Sequence, residues 1–343
     1  MKFVAKTLMG LENVLAKEIE NLGGNNIEIV KRAVVFNGDI ELMYKANLFL
    51  RSALRILVFI KKFDAKSPEE LYEKTKSLNW TEFIGLNQTF AIDATVNSSI
   101  FTHSKFITYK VKDAIVDFYY EKYGRRPNIS TYKPEIKINV RISEDQIELS
   151  LDSSGESLHK RGYKVESLDA PLSEVLAAGI LLNTEFQNFE NFLDPMCGSG
   201  TLLTEALMIN TNFPANILRE DFGFMTWNNF NNRLWKEIKE EALTQVHEPT
   251  IDFYAFDKNR KAIFATKKNL SMLKYGNRIK VDHKDFFKLK NCERFDFIIM
   301  NPPYDIRLKD DEILSFYTNI GDKLKQDCAP CIAWIFSGNI KAL

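Results

Sequence analysis

The sequence predicts an α+β amino-terminal half followed by an α/β half with a doubly wound parallel sheet. Before residue 155, short β-rich runs and helical stretches are mixed, whereas strands and helices alternate regularly after it. The polar run Asp152-Ser153-Ser154-Gly155 lies between these two patterns and is typical of a linker.

The first 60 residues have the order strand–helix–strand–strand–helix–strand, which is that of a ferredoxin-like unit. Apolar residues at helical spacing predict the first helix, which stops at Gly23-Gly24, and Asp39 is a favourable N-cap for the second. The predicted elements are a strand at 2–8, a helix at 11–22, strands at 27–30 and 33–36, a helix at 40–48 and a strand at 54–63.

Residues 61–155 predict a second small α+β unit. The sequence Ser67-Pro68-Glu69-Glu70 is a capping box, and alternating apolar residues around Ser143-Glu144-Asp145 predict a hairpin. The predicted elements are a helix at 68–78, a strand at 89–97, a helix at 105–123, and strands at 136–142 and 146–151.

After a basic linker at 156–169, residues 170–343 predict the parallel sheet. The stretch 211–249 is long for one connection and predicts an insertion with its own helix at 230–242. The other predicted elements are a helix at 170–186 and strands at 191–194, 251–256, 278–281, 295–300 and 331–336.

Composition excludes several classes of protein. The 343 residues carry 46 Lys+Arg and 46 Asp+Glu, so any contact with nucleic acid requires a local basic patch. The 26 Phe and 12 Tyr exclude disorder as the main state. Four Cys are too few for a disulfide framework, and no apolar run reaches 18 residues. We therefore expect a reducing, cytoplasmic location without a membrane span.

The strongest chemical signal is the loop Asp194-Pro195-Met196-Cys197-Gly198-Ser199-Gly200-Thr201, which follows an apolar strand and opens a helix. Gly198 and Gly200 would let the backbone approach a ligand closely, and the helix N-terminus offers N–H groups to it. The loop lacks the third glycine of the dinucleotide-binding fingerprint. Taken alone, it is also compatible with an ordinary strand-to-helix turn.

Acidic residues follow the next two predicted strands. Asp257, with Lys258 beside it, stands where a carboxylate can bind a ribose diol. Asp285 can accept a hydrogen bond from an exocyclic amine, and Phe286 can cover a purine face. Each aspartate alone is also compatible with a helix N-cap or a turn.

The fourth motif is Asn301-Pro302-Pro303-Tyr304, which follows a buried strand. Prolines have no N–H, so the Asn301 amide oxygen and the Pro302 carbonyl can accept both hydrogens of an amino group. This would direct the nitrogen lone pair at an electrophile, while Tyr304 would stack on the ring that carries the amine. The alternative is a rigid turn at a strand end.

Together the four motifs resemble class I S-adenosylmethionine-dependent amino-methyltransferases, which have a Rossmann-like sheet. The segments AKTLMGLENVLAKEIENLG, SLHKRGYK and APLSEVLAAGILL further resemble the bacterial THUMP-domain methyltransferases, and among these the 23S ribosomal RNA guanine-N2 methyltransferases, also catalogued as predicted N6-adenine-specific DNA methylases. The resemblance implies a ferredoxin-like unit at 1–60, a THUMP RNA-binding module at 61–155 and a methyltransferase domain at 170–343.

The resemblance also implies the chemistry: methyl transfer from S-adenosylmethionine to an exocyclic amine of structured RNA, namely guanine N2 of 23S rRNA, with no metal. It assigns the methionine part to the first loop (Asp194, Met196, Cys197, Gly198, Gly200, Thr201), the ribose to Asp257 with Lys258, the adenine to Asp285 and Phe286, and the acceptor amine to Asn301, Pro302, Pro303 and Tyr304.

Two features depart from the family pattern. Asp305-Ile306-Arg307 follow the last motif, where the family has Gly and a charged residue. The sequence ends at Leu343, just after the fifth predicted strand, whereas the methyltransferase sheet has seven. We therefore expect the last two strands to be missing, either because the sequence is a fragment or because the sheet edge is open.

An RNA-binding surface is predicted within residues 100–141, where nine Lys or Arg face four acidic residues and five Tyr are interleaved. A solvated helix face is the alternative. The predicted RNA contacts are Lys105, Lys112, Arg125 and Arg126 in this region and Lys160, Arg161 and Tyr163 in the linker.

Two other functions remain open at this point. N6-adenine methylation of DNA, or glutamine-N5 methylation of a protein, would use the same amine-binding motif. A non-catalytic RNA-binding or assembly factor would keep the second half as a structural domain only. Cys328-Ala-Pro-Cys331 has the spacing of a redox motif or half a zinc site, but no second such pair accompanies it.

Overall fold

The computed structural model describes residues 1–168, 171–302 and 310–338, with the backbone alone for 310–312. The chain forms two compact units. The first comprises Met1–Leu158 and Arg219–Lys239, and the second comprises His159–Leu218 and Glu240–Leu343. The methyltransferase range predicted from the sequence, 170–343, thus contains a segment that the structure groups with the first unit.

The first unit is built on an eight-stranded sheet of order β2-β3-β1-β4-β8-β7-β5-β6. β4 pairs with β1 on one side and with β8 on the other, so one sheet continues through both predicted α+β modules. Its strands are β1 (Lys2–Lys6), β2 (Asn25–Val30), β3 (Ala33–Asn37), β4 (Arg55–Asp64), β5 (Thr89–Asn97), β6 (Asn128–Ile129), β7 (Ile136–Ser143) and β8 (Gln146–Asp152).

Local capping signals set the helix ends of this unit. The Asp39 carboxylate accepts a hydrogen bond from Leu42 N at 2.8 Å, and Ser67 Oγ accepts one from Glu70 N at 3.2 Å. The longest helix ends at Gly124, whose φ of 65° favours glycine. The helices are α1 (Glu12–Asn21), α2 (Ile40–Phe49), α3 (Pro68–Lys76) and α4 (Ser104–Tyr123).

Aromatic packing attaches the segment 219–239 to the first unit. The ring of Tyr44 on α2 lies 4.6 Å from Phe224 and 5.9 Å from Trp235, measured between centroids. The Tyr44 hydroxyl also accepts a hydrogen bond from Asn231 N at 2.9 Å. The predicted insertion is therefore partly core of the first unit, and its helix, α7, spans Asn232–Thr244.

The second unit contains a parallel sheet of order β11-β10-β9-β12-β13. The strand order reverses between β9 and β12, which makes their carboxyl ends the expected ligand-binding edge. The elements are α5 (Glu174–Leu182), β9 (Asn191–Asp194), α6 (Thr201–Asn210), β10 (Asp252–Asp257), α8 (Arg260–Leu270), β11 (Lys280–His283), β12 (Phe297–Met300), α9 (Asp310–Asp327) and β13 (Ile332–Ile335).

Phenylalanine rings from three adjacent strands form the centre of this unit. Phe192 lies 5.3 Å from Phe253 and 5.5 Å from Phe297 between ring centroids, and all three are almost fully buried. This packing fixes β10, β9 and β12 side by side, so that their carboxyl ends lie together. The predicted fold class is confirmed.

The cysteines differ from the sequence interpretation. Cys328 forms a disulfide with Cys292 rather than a pair with Cys331 within the Cys328–Cys331 motif. Across the described ranges, no cluster of three or more His, Cys, Asp or Glu side chains is arranged to bind a metal ion. In the same part of the chain, no helix combines the length and the apolar character needed to cross a bilayer.

Candidate functional site

A cavity of about 650 Å³ lies at the carboxyl ends of the parallel strands in the second unit. It brings together residues from all four sequence motifs, which are spread along the chain from Asp194 to Asn301. Its lining comprises Leu168, Pro171, Leu172, Asp194, Pro195, Met196, Cys197, Gly198, Ser199, Thr201, Leu202, Asp257, Lys258, Asn259, Asp285, Phe286, Phe287, Asn301, Pro302 and Phe316.

Glycine is required at two positions of the loop after β9, for a different physical reason at each. Both have positive φ, 55° at Gly198 and 81° at Gly200. A Cβ at Gly198 would meet no atom within 4 Å, so the space beside it is open to a ligand. A Cβ at Gly200 would lie 2.9 Å from the Thr266 side chain, so this glycine allows α6 and α8 to approach.

Asp194 is a buried carboxyl group at the end of β9. Its side chain accepts a hydrogen bond from Met196 N at 3.3 Å. Burial raises the pKa of Asp194 to about 8. The hydrogen bond from Met196 N lowers this pKa, and the negative charge of Asp257 raises it. The ionised form is therefore costly in this site unless a positive charge comes to it.

Asp257 at the end of β10 holds the glycine loop from the neighbouring strand. Its Oδ2 accepts a hydrogen bond from Gly198 N at 3.0 Å, and its Oδ1 accepts one from Asn259 N at 2.8 Å. Cys197 N also donates to the Phe256 carbonyl at 3.0 Å. Each carboxylate oxygen has a second lone pair, so Asp257 can accept further hydrogen bonds from a ligand.

Aromatic rings line the cavity near the end of β11. Asp285 Oδ1 accepts a hydrogen bond from Phe287 N at 3.1 Å, which fixes the turn. Phe286 is buried, whereas Phe287 is partly exposed and makes an edge-on contact with Phe316 at 5.6 Å. Lys258 is held through its carbonyl, 2.9 Å from His283 Nε2.

Asn301 and Pro302 follow β12 and also line the cavity. The structure thus places the amide of Asn301 at the same edge as the three strand-end carboxyl groups. Pro303 and Tyr304, together with Asp305-Ile306-Arg307, lie outside the described residues.

Four of the predicted RNA contacts lie at the surface of the first unit. Lys105 and Arg125 are exposed, and the Arg126 guanidinium lies 5.1 Å from the Tyr120 ring while it pairs with Asp117 at 2.9 Å. Lys112 is half-buried and forms an ion pair with Asp113. In the second unit, Lys160 is exposed.

The prediction that Arg161 and Tyr163 bind RNA is wrong. Both side chains are buried in the interior of the second unit. Arg161 Nε lies 3.4 Å from Glu205 Oε1, and the Tyr163 hydroxyl donates to the same oxygen at 3.1 Å. An arginine and a tyrosine in a basic stretch look like surface groups in the sequence, because their buried acidic partner is remote from them along the chain.

Several cavity residues were not predicted from the sequence. They include apolar side chains, which carry no chemical signal and are brought to the site only by the tertiary fold: Leu168, Pro171, Leu172, Leu202, Phe287 and Phe316. The one available hint was the position of Phe287 directly after the predicted Asp285-Phe286 pair.

Three family models match the chain in order. Residues 2–57 match the "RlmL ferredoxin-like domain", residues 65–152 match the "THUMP domain", and residues 161–342 match the "RMKL-like, methyltransferase domain". The last match covers the cavity and the four motifs that line it.

Known proteins of this kind are similar over almost the whole chain. The ribosomal RNA large subunit methyltransferase K/L of Syntrophotalea carbinolica is 35% identical over 352 residues, which cover 99% of this chain and 49% of the relative. The chain therefore spans about half the length of the curated relatives it matches.

Two crystal structures have the same fold over the whole chain. SMU.472, a putative methyltransferase complexed with SAH, is 30% identical, with a TM-score of 0.88 and coverage of 99% of this chain and 90% of its own. A predicted N6-adenine-specific DNA methylase from Listeria monocytogenes is 28% identical, with the same TM-score and coverage. The chain belongs to the RMKL-like methyltransferase domain family, and a ferredoxin-like domain and a THUMP domain precede its methyltransferase domain.

Proposed function

We propose that this protein transfers a methyl group from S-adenosylmethionine to the N2 amine of a guanine in 23S rRNA. The observation that carries the proposal is the convergence of Asp194, Asp257, Asp285 and Asn301 on one cavity at the carboxyl ends of the strands. The curated relatives, called ribosomal RNA large subunit methyltransferases, support the choice of substrate.

The residues present fit S-adenosylmethionine. A cavity of about 650 Å³ lies within the usual range of ligand sites, about 300–1,000 Å³. The open space at Gly198 admits a ligand against the backbone, and the buried Asp194 carboxyl suits a cationic ligand group. When bound, the cofactor supplies an electrophilic methyl group on a sulfonium centre.

The roles of the individual residues follow from their chemistry. The glycine loop and Asp194 would bind the methionine part, and Asp257 would accept hydrogen bonds from the ribose hydroxyls. Asp285 would accept one from the adenine amine, with Phe286 and Phe287 against the purine ring. Beside a ligand cation, Asp194 would regain its negative charge, since an opposite charge lowers the pKa of a carboxyl group.

Asn301 and Pro302 would position the acceptor. The amide oxygen of Asn301 and the carbonyl of Pro302 would accept the two hydrogens of the guanine amine and aim its lone pair into the cavity. A duplex base is inaccessible in its stack, so the guanine must turn out to enter the site. Catalysis would then depend mainly on orientation of the two reactants. Pro303 and Tyr304 keep their proposed acceptor roles, Tyr304 as the stacking residue.

The α4 region of the first unit would bind the RNA. Lys105, Lys112, Arg125 and Arg126 supply positive charge, and exposed tyrosines beside them, such as Tyr109 and Tyr120, supply stacking surfaces. Lys160 would add a further positive charge on the second unit. The proposal places the protein in the cytoplasm with its rRNA substrate.

A labelled-methyl transfer assay tests the proposal. Undermodified 23S rRNA, duplex DNA and ribosomal protein are offered in parallel with labelled S-adenosylmethionine. We expect label in the rRNA alone. Label in DNA would instead favour N6-adenine methylation, the activity in the name of the Listeria relative. The absence of transfer to any acceptor would support a non-catalytic RNA-binding role.

A further inference from the structure

Asn269 is a fully buried side chain at the end of α8 and does not line the cavity. Its amide oxygen accepts hydrogen bonds from Val165 N at 2.9 Å and Glu166 N at 3.0 Å. Its amide nitrogen donates to the Glu166 carbonyl at 2.8 Å and to the Ser199 carbonyl at 2.9 Å. These four bonds use both donors and both acceptor positions of the amide.

Of the partners of Asn269, Ser199 lies in the glycine loop and lines the cavity. Val165 and Glu166 lie in residues 163–168, which we call the strap. The strap ends at Leu168, which lines the cavity together with Pro171 and Leu172. Asn269 therefore connects the glycine loop directly to the strap.

The strap is held by ionic and polar contacts along its length. Tyr163 donates to Glu205 on α6, and Lys164 Nζ lies 2.7 Å from Glu174 on α5 and 3.3 Å from the Leu172 carbonyl. A further ion pair at the surface joins the half-buried Glu166 to the exposed Lys268 at 2.6 Å. Asn269 is thus the buried polar contact between the strap and the loop that faces the ligand.

Thr266 makes the equivalent contact one turn earlier on α8. Its hydroxyl donates to the Gly198 carbonyl at 2.9 Å, and its side chain occupies the space against Gly200. The carbonyls of two consecutive loop residues, Gly198 and Ser199, therefore both point to α8. The loop conformation is set from α8 as well as from Asp257 on β10.

We propose that Asn269 is a positioning residue for the cofactor, coupling the strap to the glycine loop so that a ligand bound at the loop also orders the strap. The inference rests on the proposed function, because it takes S-adenosylmethionine as the ligand of the cavity. Removal of the amide leaves backbone groups of the glycine loop and of the strap without their shared partner. Coupling of this kind typically changes affinity by about 5–150-fold.

The test compares three variants with the wild type. Asn269→Leu keeps the branch at Cγ and removes all four hydrogen bonds, and Asn269→Ser is a smaller replacement that keeps one hydroxyl. Lys268→Ala is the matched control, since it removes a surface ion pair to the same strap and leaves the Asn269 amide in place. Circular dichroism and thermal melting establish that each variant is folded. Calorimetry with S-adenosylhomocysteine gives Kd, and hydrogen exchange reports protection of the strap, 163–168, and of the glycine-loop peptide 195–203.

In the wild type and in Lys268→Ala, we expect S-adenosylhomocysteine to protect both peptides. In the folded Asn269 variants, Kd should rise by about 10–100-fold, and saturating ligand should protect 195–203 but no longer 163–168. If the role of Asn269 were purely structural, the variants would have a lower melting temperature, but the ligand would still protect both peptides from hydrogen exchange. Wild-type Kd and strap protection in a folded Asn269 variant would overturn the inference. If the wild type itself did not bind the ligand, the proposed function would fail, and this role with it.

Discussion

Replacement of Asp194 by Asn is expected to stabilise the ligand-free second unit and to weaken cofactor binding. Asn has the same shape, and its amide oxygen can still accept the hydrogen bond from Met196 N. The substitution thus removes the ionisable group while it preserves the loop contact. The two effects oppose each other because the buried carboxyl group is unfavourable for folding but suited to a cationic ligand.

The magnitude follows from the pKa of Asp194, about 8 in the fold against 3.8 in the unfolded chain. Between these values the folded protein keeps a proton that the unfolded chain has released. Wild-type stability therefore falls as pH rises, by about 1.4 kcal/mol per pH unit, and the fall ends above the folded pKa. The amide in the Asp194→Asn variant does not titrate, so the variant's advantage should grow by about 2–3 kcal/mol between pH 5 and pH 7.

The assay unfolds the protein in urea at pH 5, 6 and 7. A pulse of hydrogen exchange at one fixed pH then measures the unfolded fraction in each sample. Peptides that contain β9 and β10 report the second unit separately, which a whole-chain signal would not do for a protein of two units. Calorimetry with S-adenosylhomocysteine accompanies it. An advantage of the variant that does not change with pH would refute the assigned pKa, and unchanged ligand affinity would refute the role of Asp194 in binding.

Five further substitutions separate binding, folding and chemistry. Asn301→Ala should abolish methyl transfer. Its Kd for S-adenosylhomocysteine, measured by calorimetry, should stay within about threefold of the wild-type value, which is a difference of less than 1.4 kcal/mol in binding free energy. A large loss of affinity would contradict the role of Asn301 toward the acceptor. Gly200→Ala should lower the free energy of unfolding more than Gly198→Ala, because only a Cβ at Gly200 meets a neighbouring side chain. Gly198→Ala should weaken ligand binding more than Gly200→Ala, because the space beside Gly198 is open to a ligand. The reverse order in urea melts and in calorimetry would contradict the geometry. Arg161→Ala should cost about 3–5 kcal/mol of stability because it removes the cationic partner of a buried carboxylate. An Arg161 variant of wild-type stability would show that its ion pair is unimportant. Arg126→Ala should instead weaken rRNA binding in filter assays and leave the melting temperature unchanged.

The sequence predicted the fold class and the polar cavity residues that follow the parallel strands, because both depend on local patterns. β5 at 89–97 and β9 at 191–194 were predicted with the observed bounds, since each is a short β-rich run bordered by turn residues. The acids that end β9 and β10 reach one cavity because parallel strands end at the same edge of a sheet.

Sequence and structure differ mainly where a long-range contact decides the outcome. Arg161 and Tyr163 are internal because Glu205 is buried beside them. The segment 219–239 joins the first unit because its aromatic residues pack on Tyr44. Cys328 forms a disulfide with Cys292 across 36 residues, a pairing that was not predicted from the sequence. The helix predicted at 170–186 spans Glu174–Leu182, and a separate 3-10 turn at Phe186–Asn188 follows it.

Guanine N2 of 23S rRNA is the proposed acceptor of the methyl group, and Asn301 is the residue proposed to hold its amine. The most direct test is a digest of undermodified 23S rRNA after reaction with labelled S-adenosylmethionine, with the nucleosides identified by mass. We expect label in N2-methylguanosine with the wild type and none with Asn301→Ala. Label in N6-methyladenosine, or undiminished label with the Asn301 variant, would contradict the proposed function.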